Sequence, residues 1–164
     1  MRQFHHYYGN KIYAAIHSDF WLYEFSVWLH TVARSLIAIF IPILLLQLGY
    51  SVTEALIFYG IYHLIDVPLN FLARRLVVAW GARTVIIIAT LAIIGYFSVF
   101  YFLTPNAWTI LLILALLNAI YDSFYWVSHM YLFIESSGQS SQAGRKTGIM
   151  HSVRAFAGML GPAI

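Results

Sequence analysis

The stretch Leu72-Ala73-Arg74-Arg75-Leu76-Val77-Val78-Ala79-Trp80-Gly81-Ala82-Arg83 sets three arginines and a glycine between two long apolar runs. One run reaches back to about Thr53, and the other extends from Thr84 to about Leu103. Each is close to the roughly 20 residues that a helix needs to cross about 30 Å of hydrocarbon. The arginines between them then mark one membrane face, where basic residues concentrate. Both runs are continuous rather than alternating, which excludes the strand pattern of a membrane barrel.

The remainder of the chain has the same character. Of its 164 residues, 62% are apolar and only 9% are charged. A soluble domain carries about 25% charged residues. Nine Lys/Arg and six Asp/Glu cannot coat a water-facing surface of this size, so a soluble globular domain, a disordered region and a nucleic-acid-binding module are all excluded. The net charge of +3 follows instead from the way membrane loops are charged. The chain has no cysteine, so disulfides, thiolate chemistry and Cys-ligated metals are absent. No cofactor or metal is expected. The first residues, with His5, His6, Tyr7, Tyr8 and Lys11, lack the compact apolar run of a cleavable signal peptide. Residues 1–19 therefore read as a cytoplasmic or interfacial lead-in.

The fold class is an all-α membrane protein with about five transmembrane helices, expected near 21–48, 53–77, 84–103, 108–134 and 146–164. The first is interrupted by Arg34 and bent near Pro42. Seven of the nine basic residues (Arg2, Lys11, Arg74, Arg75, Arg83, Arg145 and Lys146) fall on one side if the spans alternate. Basic residues stay inside, so the amino terminus is expected in the cytoplasm, with the protein in a membrane of the bacterial inner type.

The other two arginines lie within spans, where a charge is costly and marks a pathway or binding site by default. Arg34 falls near the middle of the first span, Asp66 near the middle of the second and Asp122 near the middle of the fourth, while Arg154 lies about two turns into the fifth. Helical spacing puts His30 with Arg34, His63 with Asp66, Asp122 with Trp126 and His129, and His151 with Arg154 on common faces. Two cations and two anions at similar depth cancel, as burial requires. These groups line a polar cavity, or they form fixed ion pairs that set helix register. Trp21, Tyr23, Trp28, Trp80, Tyr50 and Trp108 fall near predicted span ends, as an interfacial aromatic belt does. Tyr121, Tyr125 and Trp126 lie deeper, where their polar hydrogens favour an inward orientation.

Three local features resemble the major facilitator superfamily (MFS) of transporters. The 72–83 stretch looks like the family signature between helices two and three; Gly81 and Arg83 match its second glycine and a following basic residue. Arg74, Val78 and Ala79 stand where its first glycine, aspartate and first arginine are expected. Gly158-Met159-Leu160-Gly161-Pro162, after the basic lead-in Gly144-Arg145-Lys146, resembles the family's fifth-helix motif. Short outer connectors and basic inner ones complete the likeness. The resemblance implies the incomplete amino-terminal six-helix half of a secondary transporter, embedded in the lipid bilayer and moving a small-molecule substrate. It implies a central pathway lined by Arg34, Asp66, Asp122 and Arg154, with His30, His63, Tyr125, Trp126 and His129 nearby, and a gating role for the two motifs. An arginine on the first helix suits an anionic substrate group, and Asp66 or Asp122 is the candidate for a coupled proton. Such transporters use two halves built from three-helix repeats, so the chain is expected to be a fragment whose partners are the missing carboxy-terminal helices. A small membrane scaffold or accessory subunit is the alternative. An intramembrane enzyme is disfavoured, because neither H-E-x-x-H nor G-x-S-x-G is present.

Overall fold

A computed structural model describes residues 19–137 and 143–163 of the chain. The expected lead-in before Asp19 and most of the polar loop after Ser137 lie outside these residues. The described residues form helices α1 (Asp19–Ala38), α2 (Phe40–Gln47), α3 (Val52–Trp80), α4 (Ala82–Phe100), α5 (Trp108–Ser137) and α6 (Ala143–Ala163). The segments Trp21–Gln47, Val52–Trp80, Ala82–Phe100 and Trp108–Glu135 are long and apolar enough to cross a membrane. The fifth expected span is the helix α6, which carries Arg145, Lys146, His151 and Arg154.

The first span breaks at Ile39, between α1 and α2. Pro42 explains the position. Its ring conflicts with the carbonyl four residues back, on Ala38, and it has no N–H to give that carbonyl. The second connector is shorter than expected: α3 continues through Trp80 and α4 starts at Ala82, leaving Gly81 alone between them. Gly81 adopts φ 82° and ψ 150°, which glycine reaches without steric cost. A Cβ there would meet no atom within 4 Å, so the glycine is required by its dihedrals and not by crowding.

The chain forms two compact units. One comprises residues up to Phe40 together with those from Phe133 onward. Within it α1 packs along α6. Val27, Met150 and Ala157 are buried, and the Ser35 hydroxyl lies 3.5 Å from the Ala157 carbonyl oxygen.

The second unit spans Ile41–Leu132. It holds two apolar layers. The first contains Leu45, Tyr50, Phe58, Tyr62, Tyr96, Leu111 and Leu114, and the second contains Ala73, Val77, Val85, Ala89, Tyr121, Phe124 and Tyr125. The helix α4 shows how the packing works. Ala82, Val85, Ala89, Ala92 and Tyr96 form its buried face, while Ile87, Leu91 and Ile94 are exposed. Small residues inside and large aliphatic ones outside suit a lipid solvent, in which close backbone approach stabilises helix pairs and water exclusion does not. The hydroxyls of Thr31, Thr90 and Ser98 donate to carbonyls four residues back, at 2.8, 2.9 and 2.8 Å, and so carry no unsatisfied proton into hydrocarbon.

The helix ends are closed locally. At the end of α2, Tyr50 N–H donates to Leu45 O at 3.1 Å and Gly49 N–H to Leu46 O at 3.0 Å. With Gly49 at φ 88°, this is the Schellman arrangement. Ser51 then opens α3 with a capping box: Glu54 N–H donates to Ser51 Oγ at 3.2 Å, and Ser51 N–H to Glu54 Oε2 at 2.7 Å. Tyr50, expected in the interfacial belt, is buried instead. Its hydroxyl donates to the Thr104 carbonyl at 2.7 Å and accepts from Ala107 N–H at 3.0 Å. It therefore fastens the α2–α3 turn to the α4–α5 turn, a use that removes it from the lipid surface. Trp21 and Trp80 remain exposed, as a belt requires.

Two stability effects follow. Tyr50→Phe keeps the ring but orphans the Ala107 N–H, and should cost about 1–2 kcal/mol in thermal unfolding of the purified protein; an unchanged midpoint contradicts the clamp. Ala89→Leu forces a branched side chain into a fully buried site and should cost about 1–3 kcal/mol, whereas Leu91→Ala on the exposed face should be close to neutral. The reverse order would place the lipid on the wrong face of α4.

Candidate functional site

Between the two apolar layers of the second unit, α3 and α5 exchange polar groups. Tyr62, on α3, donates its hydroxyl to Asp122 Oδ2 on α5. One turn further along α3, Asp66 accepts from the hydroxyl of Ser123, the residue after Asp122. Each helix thus supplies one carboxylate and one hydroxyl, and each carboxylate is held by the other helix's hydroxyl. Asp122 Oδ1 also accepts from the Trp126 indole N–H at 3.1 Å. The Ser123 oxygen sits 3.2 Å from the Asp66 backbone oxygen, and the Asn70 amide donates to that same backbone oxygen at 2.8 Å.

The local sequence explains the placement. Tyr62 and Asp66 are four residues apart on α3 and face the same way, as are Asp122 and Trp126 on α5. Asp66 and Asp122 are half-buried, while Ser123 is wholly enclosed. Pro68 interrupts the hydrogen-bond ladder of α3 two residues after Asp66, leaving the Leu64 carbonyl without its N–H donor. The Asn70 side-chain amide donates one turn back, to the Asp66 carbonyl, and leaves the Leu64 carbonyl untouched. Both carboxylates therefore have donors aimed at them, and hydrogen bonds to a charged acceptor are the stronger ones.

Aromatic rings and histidines extend the site along α5. Tyr125 stacks near His129, with ring centres 4.1 Å apart, and lies 5.3 Å edge-on from Trp126. His129 and Tyr125 are buried. His63 lies against the Tyr62 ring at 4.4 Å but is itself exposed. Asp66, Asp122, Tyr125, Trp126 and His129 thus occupy one unit, with His63 at its surface. Among the described residues, no three His, Asp or Glu side chains converge as metal ligands.

The remaining residues singled out in the sequence belong elsewhere. His30 and Arg34 on α1 and Arg154 on α6 lie in the first unit, all half-buried. Gly81 forms the α3–α4 joint, and Arg83 is exposed at the start of α4. At Gly158 a Cβ would meet nothing within 4 Å; the close approach of α6 to α1 falls on its neighbour Ala157. Gly161 and Pro162 fall in the last turn of α6, outside the residues whose side chains are described. Sequence reasoning missed Tyr62, Ser123 and Asn70, although helical spacing from Asp66 and adjacency to Asp122 were available as signals. It also missed Glu24, a buried carboxylate on α1.

The sequence profile of the Major Facilitator Superfamily matches residues 24–164. No curated protein and no solved structure matches the chain. An apolar helical architecture, polar groups held in the middle of its spans and a family match over most of the length agree: this is an integral membrane protein and belongs to the Major Facilitator Superfamily, a family of secondary transporters.

Proposed function

We propose that the chain forms the amino-terminal helices of a transporter that moves a small, anionic solute across a cell membrane, with its amino terminus in the cytoplasm. The reciprocal exchange between α3 and α5 carries this reading. Two carboxylates in the middle of apolar helices are expensive to maintain, and such groups mark substrate or ion pathways. Here they are supplied with hydroxyl and indole donors.

In this mechanism Arg34 and Arg154 attract the negative group of the solute, because a guanidinium offers a fixed fork of donors to a carboxylate or phosphate. Asp66 and Asp122 provide the acceptors along the pathway, and Tyr62 and Ser123 hold them in place. Tyr125, Trp126 and His129 form an aromatic wall on α5, with rings that pack against the solute's apolar part. The orientation rests on Arg74, Arg75, Arg83, Arg145 and Lys146, which fall in connectors of one side when the spans alternate across the membrane.

Uptake of a panel of radiolabelled small organic acids, measured in vesicles from cells expressing the full-length protein, tests the assignment. Arg34→Ala and Asp122→Asn should each reduce uptake to the vector background at equal membrane abundance; wild-type rates in both variants would remove these residues from the pathway. Tyr62→Phe retains the ring and deletes one donor to Asp122. Loss of a hydrogen bond to a charged group is worth about 1.5–3 kcal/mol, so uptake should fall roughly tenfold or more, and Tyr131→Phe, at an exposed position of α5, should leave it unchanged.

A further inference from the structure

The hairpin of α3 and α4 carries charge of one sign at its Gly81 end. Between Asp66 and Asp122 the sequence holds Arg74, Arg75 and Arg83 and no Asp or Glu. All three arginines are exposed. Among the described residues, no acidic side chain pairs with any of them. The family signature that this stretch resembles has glycine, aspartate and arginine where Arg74, Val78 and Ala79 stand. Here a cation replaces the glycine and the anion is gone, so the positive charge has to be balanced from outside the hairpin.

The depth of these arginines says what balances them. The helices α3 and α4 pack together, and Gly81 alone separates them. Residues equally far from Gly81 therefore lie at about the same level. Burial agrees, because Val77 and Val85, and likewise Ala73 and Ala89, share one buried cluster. Arg74 and Arg75 stand roughly 9–10 Å along α3 from Gly81, at 1.5 Å per residue. The same distance along α4 reaches Ile87, which is exposed within an apolar span. On α3 itself Phe71 and Val78 are exposed one turn to either side of the pair. Trp80 is exposed next to Gly81, where an indole ring meets the headgroups. The two guanidiniums thus leave the helix at the level of acyl chains and extend toward the headgroups. Arg83 stands there already, two residues beyond Gly81.

We propose that the Gly81 end of the α3–α4 hairpin is a binding site for an anionic phospholipid, whose phosphate is held by Arg74, Arg75 and Arg83. A guanidinium offers paired N–H donors to phosphate oxygens, and three of them suit a headgroup that carries net negative charge. The acyl chains of the same lipid run over Phe71, Val78 and Ile87. A water-soluble anion or an acidic protein segment would have to enter among those apolar side chains, whereas a lipid already has its phosphate above them and its chains beside them. The inference does not rest on solute transport, and its test requires none.

Native mass spectrometry of the full-length protein in detergent micelles, titrated with dioleoyl phosphatidylglycerol or dioleoyl phosphatidylcholine, tests it. The anionic lipid should bind at a lower concentration than the zwitterionic one. An arginine near an anionic lipid surface is worth roughly fivefold in binding, so Arg74→Gln/Arg75→Gln should weaken the tightest phosphatidylglycerol step by about 25-fold. Arg145→Gln/Lys146→Gln should leave that step unchanged. Arg83→Gln alone should weaken it roughly fivefold, and serves if the double variant does not fold. Equal binding of the two lipids, wild-type affinity in the folded arginine variants, or the same loss in Arg145→Gln/Lys146→Gln would overturn the proposal. Displacement of the lipid by glycerophosphoglycerol, its headgroup without chains, or by a polyglutamate peptide would overturn it too, because the site would then suit a soluble anion or an acidic protein.

Discussion

A carboxylate in the middle of a membrane-crossing helix has to find its donors inside the protein, because hydrocarbon offers none. The α3–α5 pair meets this constraint reciprocally, with Tyr62 serving Asp122 and Ser123 serving Asp66. The two bonds run in opposite directions between the same helices, so neither helix can rotate or slide without breaking one of them. Apolar layers above and below this polar level set the spacing, and the polar level sets the register. Buried polar pairs are best attested in that role of fixing register. The arrangement therefore serves structure and chemistry together.

The packing around it follows from the solvent. Alanines occupy the interior of α4 and large aliphatic side chains its exterior. In water that distribution would waste apolar surface, whereas in lipid it brings backbones close and leaves bulky groups to the acyl chains. The first unit uses the same device where Ala157 meets Ser35.

Much of the fold was legible in the sequence, because the length of an apolar run is set by bilayer thickness and little else. The bend near Pro42 was legible too, although the break falls at Ile39, since the proline ring acts on the carbonyl behind it. The extent of the second connector was not. Arginines and a glycine suggest a loop, but Arg74 and Arg75 sit exposed on the surface of a continuing helix, where long basic side chains can extend toward the interface. In the site, Asp66 and Asp122 stood out because charge at mid-span is rare. Their partners did not, because tyrosine and serine are unremarkable in a membrane helix until a facing helix gives them an acceptor. Tyr50 looked like a belt residue for the same reason. Glu24 lies near a span end, where a carboxylate ordinarily meets water, and only the packing of its helix shows it enclosed.

The single-residue joint at Gly81 has a mechanical consequence. Two helices of 29 and 19 residues meet there with no slack between them. Relative movement at the joint has to come from two backbone torsions of one residue, held in a region of the dihedral map that side-chain-bearing residues avoid. The pair is thus a hairpin whose change of angle is confined to one residue that is itself free to turn: the two helices are rigid arms, and the elbow between them is their hinge.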